Sequence, residues 1–409
     1  MRELEGKAPL SQRLPLIAAS LALALGALGV IFAEGDLPIA PEMRERLVST
    51  GFSSEAVLEE RGRDFSGAGD KARATAIYRE LLRRDSANAY RWCDLADALL
   101  AEGNKAEADR CYRRAAQLGP RIPTVLMRTG NFYFGTDRRA EAEPHYRAVL
   151  ELVRDYDWII FVTLDQMGLT AKDVLSRVLP ANKEAGDNYM QFVTARGQEA
   201  DAPLVWQFLR SHAFLDDSAV GRYIDFWLRR GKGEAAVKAW AAHLGKDAKG
   251  YLSQNWVFNG GFERSPRGVA TDWRIDQLEG AESSIDNLGG SKDGRCLRIR
   301  FLGKKNLDYQ QVRQSIWLPT GDWTLRVRVK YEALTTNQGP QFRLSDPSGK
   351  VNWHSDVMTG TQDWRWLTAT FSVPDNVPSL SLAVVRVPSE KFDNKIEGTI
   401  WIDDVRISR

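Results

Sequence analysis

Two periods of hydrophobic and polar positions divide the chain: up to about residue 250 the apolar positions recur at helical spacing, and beyond it they alternate one for one. In "ANAYRWCDLADALLAEGNKAEADRCYRRAAQLGP", Trp92, Leu95, Ala96 and Leu99 form one apolar stripe. Ala108, Tyr112 and Ala115 form a second, with Gly103 between the stripes and Pro120 after them. This pattern predicts two amphipathic helices joined by a glycine turn and stopped by a proline. In the C-terminal part, "CLRIRF" sets Leu297, Ile299 and Phe301 against Arg298 and Arg300, and "DWTLRVRVKYEA" continues the alternation from Trp323 to Tyr331. "RWLTATFSV", "LSLAVVRV" and "TIWIDDVRIS" follow, separated by the turn sequences "PDNVP" and "DNKIEG". Short alternating runs with regular turns and no helix predict an antiparallel β-sandwich.

The helical half also has a longer period. Adding 34 to Ala108 and Tyr112 gives Ala142 and Tyr146, and subtracting 34 gives Ala74 and Tyr78. Gly62, Ala96 and Gly130 share a further position of the same register. The third unit departs from the pattern, with Asp137 where the turn glycine is expected and Arg154 in place of the proline, so its exit is expected to be irregular. A second tandem sets Gly197, Ala202 and Trp206 against Gly231, Ala236 and Trp240. The 60-residue gap between Ala142 and Ala202 breaks the register, and "DWIIFVTLDQMGLTAKDVLSRVLP" reads as an irregular helical pair joining two blocks.

The period and its residues resemble the tetratricopeptide repeat. That resemblance implies stacked hairpins with a surface suited to holding another protein chain. It also implies that Arg63, Tyr90, Asp97, Met127, Asn131 and Phe134 line the groove. The alternative for each charged member is an ordinary solvated helix face. Cys93 and Cys111 sit on the two helices of one hairpin, where they either pair or pack as small buried residues.

Leu14 to Ala33 is a stretch of twenty residues whose only polar side chain is Ser20. At about 1.5 Å per residue it reaches about 30 Å, the thickness of a bilayer's hydrocarbon core. Its exit, "VIFAEGD", places Ile31 where a signal-peptide cleavage site prefers a small residue, so the segment reads as an uncleaved anchor. Arg2, Lys7 and Arg13 precede it while Glu34 and Asp36 follow, which keeps residues 1–13 cytoplasmic and the bulk of the chain outside. Ala18, Ala22 and Gly26 recur every fourth residue, a spacing that fits close helix pairing but also arises by chance in an alanine-rich helix.

The expected organisation is therefore multidomain, α plus β. A tail at 1–13, a transmembrane helix at 14–33 and a linker at 34–53 precede a helical-repeat solenoid at 54–250 and a jelly-roll sandwich at 251–409. The expected location is a bacterial inner membrane, single-pass, with the bulk of the chain periplasmic.

Composition narrows the function. A formal net charge of +2, with no dense basic block interleaved with aromatics, argues against nucleic acid. Three cysteines make no disulfide framework and no zinc spacing. His145, His212, His243 and His354 are scattered, "SGAGDK" lacks the phosphate-loop pattern, and Asp216 with Asp217 reads as solvated loop, so no enzyme is expected.

"NGGFE" at 259–263, then Trp273, "QSIWLPTGDWTLRVRVK" and the terminal "GTIWIDDVRI" resemble jelly-roll carbohydrate-binding modules of the family four, nine and twenty-two type, within the galactose-binding-like superfamily. The resemblance covers residues 255–409 and implies a structural calcium held by Glu263 and Asp404, or Asp403. The alternative is that Arg264 or Arg406 neutralises the pair. A sugar site needs exposed aromatic faces beside planar hydrogen-bonding groups. Strand parity nominates Trp366, Gln341 and Arg343, turn position nominates Trp353, and Arg386 joins them as a planar donor. Against that, the tryptophans fit equally well as packing between the sheets or against the solenoid.

The expected function is a non-catalytic, membrane-anchored adaptor that binds protein through the repeats and glycan or protein through the sandwich, in exopolysaccharide or envelope biogenesis. The alternative is a glycan receptor whose repeats are a stalk.

Overall fold

The structure, a computed structural model, describes residues 54–287, 294–392 and 394–409. The expected tail, anchor and linker lie outside the described residues. Among the described residues no helix is long and apolar enough to cross a membrane.

The chain begins as a succession of helical hairpins: α1 (Glu55–Gly67) with α2 (Lys71–Arg84), α3 (Ala89–Ala101) with α4 (Lys105–Leu118), and α5 (Pro123–Gly135) with α6 (Arg139–Leu152). Caps set the register. Ser54, Asp70, Asn88 and Asn104 each accept a first-turn backbone N–H, which satisfies donors the helix cannot. Each hairpin turns at a residue with positive φ: Gly69 at 76°, Gly103 at 85° and Asp137 at 60°. Asp137 therefore takes the glycine's left-handed conformation, and the 2.8 Å bond from Arg138 N to Tyr133 O repeats those at Asp70 and Asn104. The small crossing position also has a steric cause. A Cβ on Gly62 or Gly130 would lie 2.8 Å from Cε1 of Tyr78 or Tyr146.

The segment expected to break the register keeps it for one helix. Helix α7 (Asp157–Gln166) starts 34 residues after α5, but it ends after ten residues. Its turn, at Gly168, comes 31 residues after Asp137, and the next, at Gly197, 29 residues later. Helix α8 (Ala171–Asp173) runs on only as a π-helical turn, Val174–Val178. The 60-residue gap is thus two shortened steps in a continuing series of hairpins. It proceeds through α9 (Lys183–Ala195) and α10 (Ala202–Ser211) to α11 (Asp217–Arg229) and α12 (Gly233–Leu244).

Contacts divide the chain into two compact units, one ending at Ala185 and the other running from Gly186 to Arg409. Within the second unit the last helices are packed on strands. Arg274 Nη2 donates to both carboxylate oxygens of Asp225 at 2.9 and 3.0 Å, Gly233 N donates to Pro378 O at 3.0 Å, and Trp240 meets Phe258 edge-on.

The strands are β1 (Arg274–Ile275), β2 (Ala281–Asp286), β3 (Cys296–Leu302), β4 (Tyr309–Ile316), β5 (Gly321–Leu334), β6 (Gln341–Ser345), β7 (Asn352–His354), β8 (Gly360–Val373), β9 (Leu380–Arg386) and β10 (Glu397–Ser408). They form two five-stranded antiparallel sheets, β1-β4-β9-β6-β7 and β2-β3-β10-β5-β8. The alternation read from the sequence is the division between core and surface. Leu297, Ile299, Leu325, Val327, Val329, Ile400 and Ile402 of one sheet share a core with Val312, Phe342, Leu344, Leu382 and Val384 of the other.

"NGGFE" is the seam that closes this core. Phe262 is fully buried against Trp273 at 5.1 Å, and the Asn259 side chain bridges both the N–H and the carbonyl of Arg264. Asn259 and Phe262 carry the positive φ values, 51° and 56°. Gly260 is needed for a different reason: a Cβ there would lie 2.0 Å from the carbonyl oxygen of Val405.

Candidate functional site

The repeat register places Arg63, Asp97 and Asn131 at one recurring position of α1, α3 and α5, and all three are exposed. Two of them also serve the fold. The Tyr146 hydroxyl donates to Asn131 Oδ1 at 3.0 Å, and the Tyr112 hydroxyl donates to Asp97 in the same way. Burial and the Asp97 carboxylate together hold the Tyr112 hydroxyl well above the ordinary tyrosine range. Arg128 pairs with Asp94 at 2.8 Å and with Asp97, tying α5 to α3 across the same face. Tyr112→Phe is therefore expected to cost about 1 kcal/mol in chemical denaturation, since Asp97 keeps its arginine.

Tyr90 is 47% exposed at the first turn of α3, Phe134 is half-buried, and Met127 is 8% exposed and belongs to the packing. Arg91 was not anticipated. It is 5% exposed and reaches Glu55 at 2.6 Å and Glu59 at 2.9 Å, joining adjacent hairpins. Trp158 was also missed. It stands at the position of Tyr90 two repeats on, and it and Ile159 are 50% and 49% exposed. Adding 34 twice to Tyr90 would have found it. Cys93 and Cys111 are free, buried thiols, and burial pushes them up to about 12 and about 11 respectively.

The five sugar-site candidates do not meet in one cleft. Gln341 and Arg343 lie on the outer face of the first sheet, aligned with Val385 and Ala383 of β9. Trp353 is aligned with the core residue Leu344 and packs against the core. Arg386 is fully buried, and its guanidinium donates to Gln338 O, Asn306 Oδ1, Leu307 O and Asn394 O. Only Trp366 presents an exposed ring, at 41%, and it is on the other sheet.

There Trp366 has company that the sequence did not point out. Arg326 lies 4.6 Å over its ring, Arg328 lies 5.0 Å over Trp364, and Lys330 lies 5.9 Å over Trp401. The outer face of β5, β8 and β10 is thus a strip of indoles interleaved with cations, with Thr324, Thr368 and Thr370 continuing it.

Glu263 and Asp403 both border Gly261, whose Cβ would lie 3.8 Å from both Glu263 Cγ and Asp403 Oδ1. Asp403 is buried and accepts from Asp404 N at 2.7 Å, while Arg406 Nε donates to Asp404 at 2.6 Å. Among the described residues no three His, Cys, Asp or Glu side chains gather to hold a metal.

The tetratricopeptide-repeat family profile matches residues 89–121, which span α3 and α4. No curated protein matches the chain. Among solved structures, the chain is similar to a family 4 carbohydrate-binding module at 19% identity, covering 37% of this chain and 98% of that one, with a TM-score of 0.28. It is similar to a family 61 module in complex with β-1,4-galactotriose at 18% identity, covering 38% and 99%, with a TM-score of 0.26. It is also similar to PilF of Pseudomonas aeruginosa at 15% identity, covering 48% and 93%, with a TM-score of 0.26.

Proposed function

We propose that this chain is a non-catalytic adaptor whose helical repeats hold an extended segment of a partner protein. The observation that supports this reading most directly is the repeated aromatic. Tyr90 and Trp158 occupy the same first-turn position two repeats apart, and both keep about half of their surface open to solvent. Buried area is worth about 25 cal/mol per Å², so two such rings are the natural anchors of a protein interface. Asp97 follows Tyr90 by seven residues on the same helix, Arg63 and Asn131 hold its register position on α1 and α5, and all three are exposed polar groups that a bound backbone could use.

In this reading the sandwich works with glycan, using the Trp364 and Trp366 strip, and the apolar run 14–33 holds the chain at a bacterial inner membrane with its bulk in the periplasm. Polysaccharide export or envelope assembly is the setting that such a pair of binding surfaces suits. The second reading, a glycan receptor with the repeats as a stalk, is favoured by the exposed ring of Trp366 alone.

Site-specific photocrosslinking in cells from positions 90 and 158 tests the adaptor. A defined protein neighbour is expected from both positions, and Tyr90→Ala with Trp158→Ala should weaken its binding by tenfold or more. Crosslinks to no protein, together with polysaccharide binding that Trp366→Ala abolishes with or without calcium, would replace it with the receptor.

A further inference from the structure

The four sheet edges of the sandwich are protected unequally. The first sheet ends in β1, two residues long, and β7, three residues long. The second ends on one side in β2, six residues long with Glu282 and Asp286. Short or charged edges are how sheets avoid pairing with other chains. On the other side lies β8, fourteen residues long, and among the described residues it pairs only with β5. Its pairing with β5 is regular from Arg365 to Val373, and the irregularities lie beyond Val329. That stretch, "RWLTATFSV", contains no proline, no lysine and a single charge. Its inward side chains, Leu367, Ala369 and Phe371, pack against the core but stay half-buried.

We infer that β8 is the interface for a second copy of this chain, paired antiparallel about a two-fold axis through Ala369. The sequence complements itself in that register. Leu367 faces the partner's Phe371 on the core side, completing burial that each copy leaves unfinished. Thr368 faces the partner's Thr370 on the outer side, a favourable cross-strand pair, and Trp366 faces the partner's Ser372. The nine residues span about 30 Å of new ladder. The axis at Ala369 gives the regular stretch its full overlap, and the paired edges make one ten-stranded sheet. Two Trp366 strips then share one continuous face, which would double the valency of any ligand they hold.

The test uses the full chain in mild detergent. Sedimentation should show a concentration-dependent dimer. Thr368→Lys with Thr370→Lys, at exposed outward positions, should raise the dimer Kd at least tenfold by setting lysine against lysine. Thr368→Glu with Thr370→Lys should restore it, since each glutamate then meets a lysine across the axis. Directly opposed antiparallel residues lie about 4.5–5.5 Å apart at Cα, within reach of a disulfide, so Ala369→Cys should crosslink on oxidation and Ser372→Cys should not. A chain that stays monomeric, including one whose β8 is covered by its own residues 1–53, overturns the inference. A dimer indifferent to the lysines and uncrosslinked at position 369 also overturns it.

Discussion

Gly260→Ala is expected to lower the stability of the C-terminal unit by about 3 kcal/mol or more, because the added methyl has nowhere to go. Its Cβ would sit 2.0 Å from the Val405 carbonyl oxygen, which is main chain at the register shift of β10 between Asp403 and Arg406. Relief requires separating residues 259–263 from β10. That movement breaks the 2.9 Å bond from Val405 N to Gly260 O and disturbs Asn255, whose amide donates to Val405 O and whose Oδ1 accepts from Ile407 N. For a unit of this size, 3 kcal/mol corresponds to about 6–12 °C in Tm. Gly261→Ala is the control, with nothing closer than 3.8 Å to the new methyl and a φ outside the left-handed region. It should shift stability by less than about 0.5 kcal/mol. Differential scanning calorimetry of both variants checks the pair, and equal losses would mean that the loop needs flexibility rather than clearance.

That contrast illustrates what the sequence could convey. "NGG" announces an unusual backbone path, but the atom that forbids a side chain at 260 lies on a strand more than a hundred residues away. Local periodicity carried the rest of the fold well. The 34-residue spacing of Ala74, Ala108 and Ala142 places three hairpins, and the alternation from Trp323 to Tyr331 assigns those nine side chains of β5 to their faces. The fourth hairpin was obscured because α7 is three residues shorter than α5, so its turn falls early although its start, and Trp158, are in register. The sandwich site was obscured for a different reason. Parity gives a residue's face within its own strand, but not which sheet the strand joins, so Gln341 and Trp366 looked like neighbours and belong to opposite sheets. Parity did contain one unread warning. Leu380, Leu382 and Val384 face the core, and Arg386 continues their series.

Arg386 is for that reason expected to be structural, with a large cost when removed. Its guanidinium is fully buried, is paired with neutral oxygens, and is pushed below the ordinary arginine range by that burial. Those oxygens come from three separate loops: Asn306 and Leu307, Gln338, and Asn394. Asn306 closes the arrangement, its Nδ2 donating to Ser389 O while its Oδ1 also accepts from Ser389 N. In Arg386→Met the apolar stem is retained and these oxygens lose their donors. An unsatisfied buried acceptor costs about 1–3 kcal/mol, and water entering from the loop side recovers part of it, so the expected loss is about 4 kcal/mol. In Tm this is about 8–16 °C. Arg386→Lys should recover less than half, since one ammonium carries three donors and cannot span the four bonds of a planar fork. Limited proteolysis should open first at 303–308 and 387–392, the loops the guanidinium ties together. A sugar-contacting arginine behaves in the opposite way, losing ligand affinity while the melting temperature stays within about 2 °C of the parent. Thermal melts of Arg386→Met and Arg386→Lys beside polysaccharide binding therefore decide between an internal clamp and a recognition residue.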